Sequence, residues 1–454
     1  MPTSKWRLLA GRANGDTSVT QPAKQYSRRS FLALVADFGV YGFGMSFVSN
    51  VTILPAFVAR LSGSNLLIGL LTTIAVLGFN IPQIFVTHYV EKMRTKKKFI
   101  MLYTLGERIP WLFLALFTVL MPGIGSPVLL FVFFLTYAAV NTSGGVTAAP
   151  WYDLVAKVVP QGRRGLYFGA GNLIATMLGV VGGVGAGLLI ETLDFPLGYA
   201  ACFLMAFLLT MISYVALWIV EEPESTVNNE ERDLSQYLHS LPDVLRADSV
   251  FTKFLLATVV AGITTMGPAF LTAQALRAVE SGEEVLGIYT AVYFASQVLS
   301  NIIWARLGDT RGHVSVIAVG GLLGVLSSII TIFSNSVIGF CVAFALIGAY
   351  TSGLMVSWAP AIMELATDEK RPTYLALAGV LRALPASVAP LLGGAIADMA
   401  GTVWIFAIAA IAHLASIAIV IPLLRSTKKA GKTAVEAREL GPRQPILMPE
   451  TTSM

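Results

Sequence analysis

Charge is scarce in this chain, and cysteine and histidine are scarcer still. Only 13% of the 454 residues are Asp, Glu, Lys or Arg, where a soluble globular chain carries about 25%. A charged, solvated surface is therefore excluded for most of its length. The two cysteines, Cys202 and Cys341, both fall inside apolar runs. That argues against a disulfide framework and leaves packing as their role. The four histidines are scattered at no ligand spacing, so no metal site is expected. The run G-x-x-x-x-G-K-[ST] is absent, and with it ATP drive through a P-loop. Residues 1–29 are polar and basic without an apolar core, so they do not read as a cleavable signal peptide and the first span is expected to stay. No cluster of catalytic acids or histidines gathers at one face. Neither an enzyme nor a cofactor is expected.

What is present is apolar: 55% hydrophobic residues and a mean hydropathy of +0.72. Apolar runs recur that are long enough to cross a ~30 Å hydrocarbon core as helices, the element that satisfies its own backbone in lipid. Twelve spans are predicted, at 31–57, 65–87, 99–120, 126–156, 166–190, 197–220, 251–277, 285–305, 314–333, 336–362, 373–397 and 402–424. The fold class is thus an all-α polytopic membrane protein of two six-helix bundles, 30–220 and 251–425. A linker at 221–250 carries Leu234, Leu238, Leu241 and Leu245 at helical spacing, which predicts an amphipathic segment on the membrane surface. The tails 1–29 and 426–454 read as disordered. Of the 31 lysines and arginines, 27 lie on the side of both termini. Arg60 and Arg277 lie opposite, and Arg108 and Arg382 fall inside spans. This bias places both termini in the cytoplasm and the chain in the cell (inner) membrane. Topology and contact with anionic lipid also account for the net charge of +5 without nucleic acid.

The halves repeat. Shifted by 218 residues, Gly69 falls on Gly287, Thr72 on Thr290, Gln83 on Asn301 and Glu91 on Asp309. Shifted by 207, Trp151 falls on Trp358, Arg164 on Arg371, Tyr167 on Tyr374 and Glu191 on Asp398. Repeats of this kind build a central site between two rocking units in many transporters. Between the eighth and ninth spans, WARLGDTRGHVSV (304–316) holds Arg306, Asp309, Arg311 and His313. It resembles the motif G-x-x-x-D-[RK]-x-G-[RK]-[RK] of the major facilitator superfamily, with Ala305, Thr310 and His313 departing from it. The first-half copy, HYVEKMRTKKK, keeps Glu91 as its acid and no glycine. VVPQGRRGLYFG (158–169), preceded by Asp153, resembles the family's P-x-x-x-R-G segment. The resemblance covers about residues 30–425. It implies two six-helix bundles, a secondary transporter working by alternating access, and a monomer.

Motif charges at span ends suit a network that forms in one conformation and breaks in the other. Asp309, Arg311, Gly312, Glu91 and the pair Asp153/Arg164 are its expected members. Inside the spans lie Asp37, Glu107, Arg108 and Arg382, each costly in lipid by about 2.5–3.5 kcal/mol or more at a helix centre. Arg108 is expected to pair with Asp37, either as a structural pair or for proton coupling. Spans seven, nine and ten offer Arg382 no acid; by the family resemblance its span borders the cavity, which suggests an anionic substrate group or a carboxylate across the interface such as Glu107 as its partner. Asn80, Gln83, Asn141, Asn172, Gln297 and Asn301 are polar candidates better suited to helix-to-helix bonding. The fifth-span run LGVVGGVGAG resembles the glycine-rich motif of the family's antiporters, which tilts the reading to export. The expected function is proton-coupled transport of a small organic solute or amphiphile. The alternative is a non-transporting sensor or lipid scramblase on the same fold.

Overall fold

Proline sets the breaks that shape this fold. In the computed structural model, which describes residues 27–91, 93–120, 125–224, 248–279, 282–366 and 371–439, the first span is two helices, α1 (Arg28–Ser46) and α2 (Ile53–Ser62). The seventh is likewise α9 (Ser249–Ile263) and α10 (Met266–Val279). The sequence reading had each as one continuous helix. Pro55 and Pro268 are the third residues of α2 and α10. A proline lacks the N–H and clashes with the carbonyl four residues back, so the ladder stops and restarts. The Val51 carbonyl, four residues before Pro55, accepts instead from Thr272 Oγ1 of the other half, at 2.7 Å.

The first half continues with α3 (Asn65–Glu91), α4 (Lys97–Tyr103), a 3-10 turn (Thr104–Glu107), α5 (Ile109–Leu120), α6 (Ser126–Val158), α7 (Arg164–Thr192) and α8 (Leu197–Ile219). The second half continues with α11 (Val285–Arg311), α12 (His313–Phe333), α13 (Val337–Leu365), α14 (Arg371–Ala400) and α15 (Val403–Glu439). Among the described residues, eleven helical runs are long and apolar enough to cross a membrane; α1 with α2 makes the twelfth. Ser27, Asp248 and Ser336 start α1, α9 and α13 by accepting backbone N–H bonds.

Two boundaries differ from expectation. The last helix runs through Glu439 rather than ending near 424, because 425–439 is rich in Ala, Lys, Arg and Glu, all strong helix formers. The motif at 304–313 is not a loop: α11 persists through Arg311, and Gly312 alone, at φ +85°, turns the chain into α12. The tail 1–26, the stretch from 440 and the amphipathic part of the linker lie outside the described residues.

Within the first half α1 packs on α7 and α8, and α3 on α6. Between halves, α3 packs on α14 and α7 on α11, two repeat-related contacts. Gly187 and Gly287 allow the second: a Cβ on Gly187 would lie 2.5 Å from the Gly287 Cα. Bonds between halves gather at the end remote from the termini, here the distal end. Asp398 on α14 accepts from the Asn65 and Leu66 N–H groups at 3.0 and 3.1 Å and from Asn65 Nδ2 at 2.8 Å, capping α3 from across the interface. Arg277 donates to Asn65 Oδ1 at 3.0 Å, and Arg60 lies 3.7 Å from Glu283. The halves are thus joined distally.

Candidate functional site

The third span carries the site because it is not a regular helix. Pro110 interrupts its ladder, and the preceding residues tighten into the 3-10 turn Thr104–Glu107. Glu107 and Arg108 follow one another there and point to different neighbours. Arg108 Nε donates to the Thr210 carbonyl at 2.9 Å and one Nη to Ser213 Oγ at 3.2 Å, both on α8. Its other Nη bonds the Thr104 carbonyl at 2.9 Å and the Thr104 hydroxyl. Asp37 of α1 lies 4.0 Å from Arg108 and takes the Ser213 hydroxyl at 2.6 Å and Trp151 Nε1 at 3.3 Å. The expected Arg108–Asp37 pair is therefore present, with Ser213 bridging it. Glu107 accepts from the Tyr41 hydroxyl at 2.9 Å, the Thr104 hydroxyl at 3.1 Å and the Thr147 hydroxyl.

All three charges are enclosed: Asp37 is 4% exposed, Glu107 7% and Arg108 2%. Asp37 is nine residues past the start of α1, about 14 Å along the axis at 1.5 Å per residue. They line a cavity of about 500 Å³ that continues past Trp151 to Ile100 and Leu217, toward the end carrying the termini. Phe38, Phe79, Tyr152 and Phe294 form much of its wall, and Met355 and Gln297 reach it from the second half. A larger cleft, about 860 Å³, lies at the surface between Lys157, Arg164 and Glu222. Lys157 and Glu222 there pair with each other, 2.8 Å apart.

Other candidates divide. Asn141, Asn172 and Gln297 line the cavity. Asn80 and Asn141 bond carbonyls of their own helices, Val76 and Tyr137, and Asn301 accepts from Ser352 at 2.6 Å. Arg382 is not brought to Glu107. It lines a separate recess of about 10 Å³ in the second half, with its guanidinium over the Trp358 ring at 5.9 Å. It has no ion pair among the described residues. The sequence reading missed Tyr41, Thr104, Thr147, Trp151 and Ser213, which hold the three charges.

The model of the Major Facilitator Superfamily matches residues 36–282 and 254–449. The chain belongs to the major facilitator superfamily. It is a multi-pass membrane transporter by family, not an enzyme. No individually curated protein matches it. Among solved structures, a bacterial homologue of the human lysosomal transporter spinster, inward-facing and unoccupied, is 12% identical with a TM-score of 0.63, over 90% of this chain and 99% of that one. The D-xylose-proton symporter is 14% identical with a TM-score of 0.68, over 88% and 98%. The human organic anion transporter MFSD10 (TETRAN) is 13% identical with a TM-score of 0.58, over 88% and 100%. At these identities the likeness shows the fold alone.

In this superfamily member, Asp153 and Arg164 at the terminal end are bonded within their own half. Asp153 pairs with Lys96 at 2.7 Å and Lys157 at 3.1 Å, not with Arg164. Arg164 turns back to the Ala156 and Val159 carbonyls, closing the turn before α7. Glu222 accepts from the Lys96 and Lys97 N–H groups and caps α4. In the second half Glu364 accepts from the His313 N–H at 2.9 Å and caps α12 beside Gly312. Asp309 and Arg311 are exposed, without an ion pair among the described residues. The Glu91 side chain lies outside what is described.

Proposed function

We propose that this chain is a secondary active transporter of a small organic solute or amphiphile. It works by alternating access, couples to protons and acts as a monomer. Its place is the cell (inner) membrane with both termini in the cytoplasm, and export is its direction. One observation carries the reading: two carboxylates and an arginine, enclosed at span depth, line an organic-sized cavity beneath a bonded distal end. Cavities of about 300–1,000 Å³ with apolar walls and a few polar groups are typical of small-molecule sites. Ionisable groups at this depth are costly and mark coupling or substrate sites. Asp37 and Glu107 are the proton carriers in this reading, and Arg108 fixes Asp37. Asp309 and Arg311 have no ion pair among the described residues at the terminal end, as members of a gate would when that end is open.

The test is uptake of labelled organic solutes into proteoliposomes of the purified chain, with and without an imposed pH gradient. The expected result is flux of at least one solute class that follows the gradient, reduced tenfold or more by Asp37→Asn. Absence of gradient-dependent flux for every class would sink the transport reading and favour a sensor.

A further inference from the structure

The enclosed cluster holds two acids against one base, and the surplus faces the cavity. Arg108 is spent on Thr104, Thr210, Ser213 and Asp37. Glu107 accepts only from hydroxyls, those of Tyr41, Thr104 and Thr147, and has no ion pair among the described residues. Neutral hydroxyls occupy its lone pairs without cancelling its charge. Beside apolar, low-dielectric walls an uncancelled carboxylate attracts a cation more strongly than it would in bulk water. The walls beside it are aromatic, Phe79, Trp151 and Phe294, and ring faces also attract cations. Gly144 faces both kinds of group: a Cβ there would stand 3.6 Å from the Phe79 ring and 3.9 Å from the Glu107 carboxyl carbon. A longer side chain at 144 would grow into the gap between them.

We infer that the cavity takes an organic cation with an aromatic body, its charge on Glu107 and its rings against Phe79, Trp151 and Phe294. This deepens the transporter reading and rests on it for direction, but binding alone tests it. A proton and the cation are alternatives at Glu107. When the cation enters a protonated site, the carboxyl O–H bond breaks, the proton leaves to the cavity water, and the net charge of the site is unchanged. Among the described residues, the titratable groups near Glu107 are Asp37 and Tyr41 from α1 and Arg108 from its own span, and Tyr152 of α6 lines the same cavity. Tyr214 of α8 stacks against Arg108.

Binding of tritiated tetraphenylphosphonium to the full chain in lipid nanodiscs tests this, with tetraphenylborate as a competitor of like shape and opposite charge. Saturable binding is expected, weakening as the pH falls. Glu107→Gln is expected to weaken it at least tenfold, and Gly144→Leu to remove it. Equal competition by tetraphenylborate, or full binding by Glu107→Gln, overturns the inference. So does the absence of saturable binding to monodisperse wild-type chain. Should Glu107→Gln fail to fold, Gly144→Leu decides: full binding there overturns it. Phosphonium binding without gradient-driven flux of any solute supports the inference and sinks the transporter reading. Gradient-driven flux of other solutes without phosphonium binding does the reverse.

Discussion

Arg108 is the side chain on which the first-half cluster depends. Its three nitrogens go to three different partners, a geometry that the single ammonium of lysine does not reproduce. Removing it leaves Asp37 buried without its cation, a change that costs about 3–5 kcal/mol. Arg108→Ala is therefore expected to lower the melting temperature of the detergent-solubilised chain sharply, and Arg108→Lys to recover little of it. A melting temperature unchanged by Arg108→Ala would show that Ser213 and Trp151 hold Asp37 unaided. The three charges were legible in the sequence because ionisable residues inside apolar runs are rare and costly. Their hydroxyl partners were not. Thr147 shows why: it bonds its own Ser143 carbonyl at 3.0 Å as well as Glu107. Threonines and serines throughout apolar spans make the first kind of bond, so nothing in the sequence marks the few that make the second.

At the scale of elements, prolines and acids at helix ends carry most of the design. Pro55, Pro110 and Pro268 each restart a helix, and the second of these sets Glu107 and Arg108 in place. A proline inside an apolar run was a legible signal that the span-level reading passed over. Acid placement was legible only in part. Asp153, Glu222 and Glu364 cap or clamp the terminal-end turns of their own halves, leaving Asp309 free to reach across when that end closes. Asp309→Asn is thus expected to reduce transport more than Glu91→Gln, as initial rates in proteoliposomes would show; the reverse order counts against a gate led by the second half. At the distal end, burial lifts the Glu283 carboxyl above its ordinary 4.5, against the pull of Arg60 at 3.7 Å. Opening that end returns it to water and to its ordinary value. The closed form therefore holds the extra proton, so closure is strongest below pH 4.5 and weakens as the pH rises through the raised value. The distance between spin labels at Thr192 and Met399, one on each half at the distal end, should lengthen across that window, and Glu283→Gln should flatten the response. A pH response unchanged by Glu283→Gln would remove Glu283 from the closure.

For the whole molecule, hydropathy, charge bias and the two repeat offsets were enough to anticipate two six-helix bundles. They could not give the conformation, because each offset relates a residue to its counterpart and not to what it touches. Glu191 and Asp398 are counterparts in sequence, yet the bonds that cap α3 across the interface belong to Asp398. Such a cap is worth about 0.5–2 kcal/mol, enough to shift a two-state population several-fold. The most direct test of alternating access is double electron–electron resonance on two pairs of spin labels in wild type and Asp398→Asn. Gly162 with Thr310 spans the halves at the terminal end, and Thr192 with Met399 spans them at the distal end; all four positions are exposed. In wild type the distal pair should show one short, narrow distance. In Asp398→Asn the distal distance should gain a longer component while the terminal distance gains a shorter one. Distances that stay fixed at both ends, or that move in the same direction, would contradict a rocking of two halves about the central cavity.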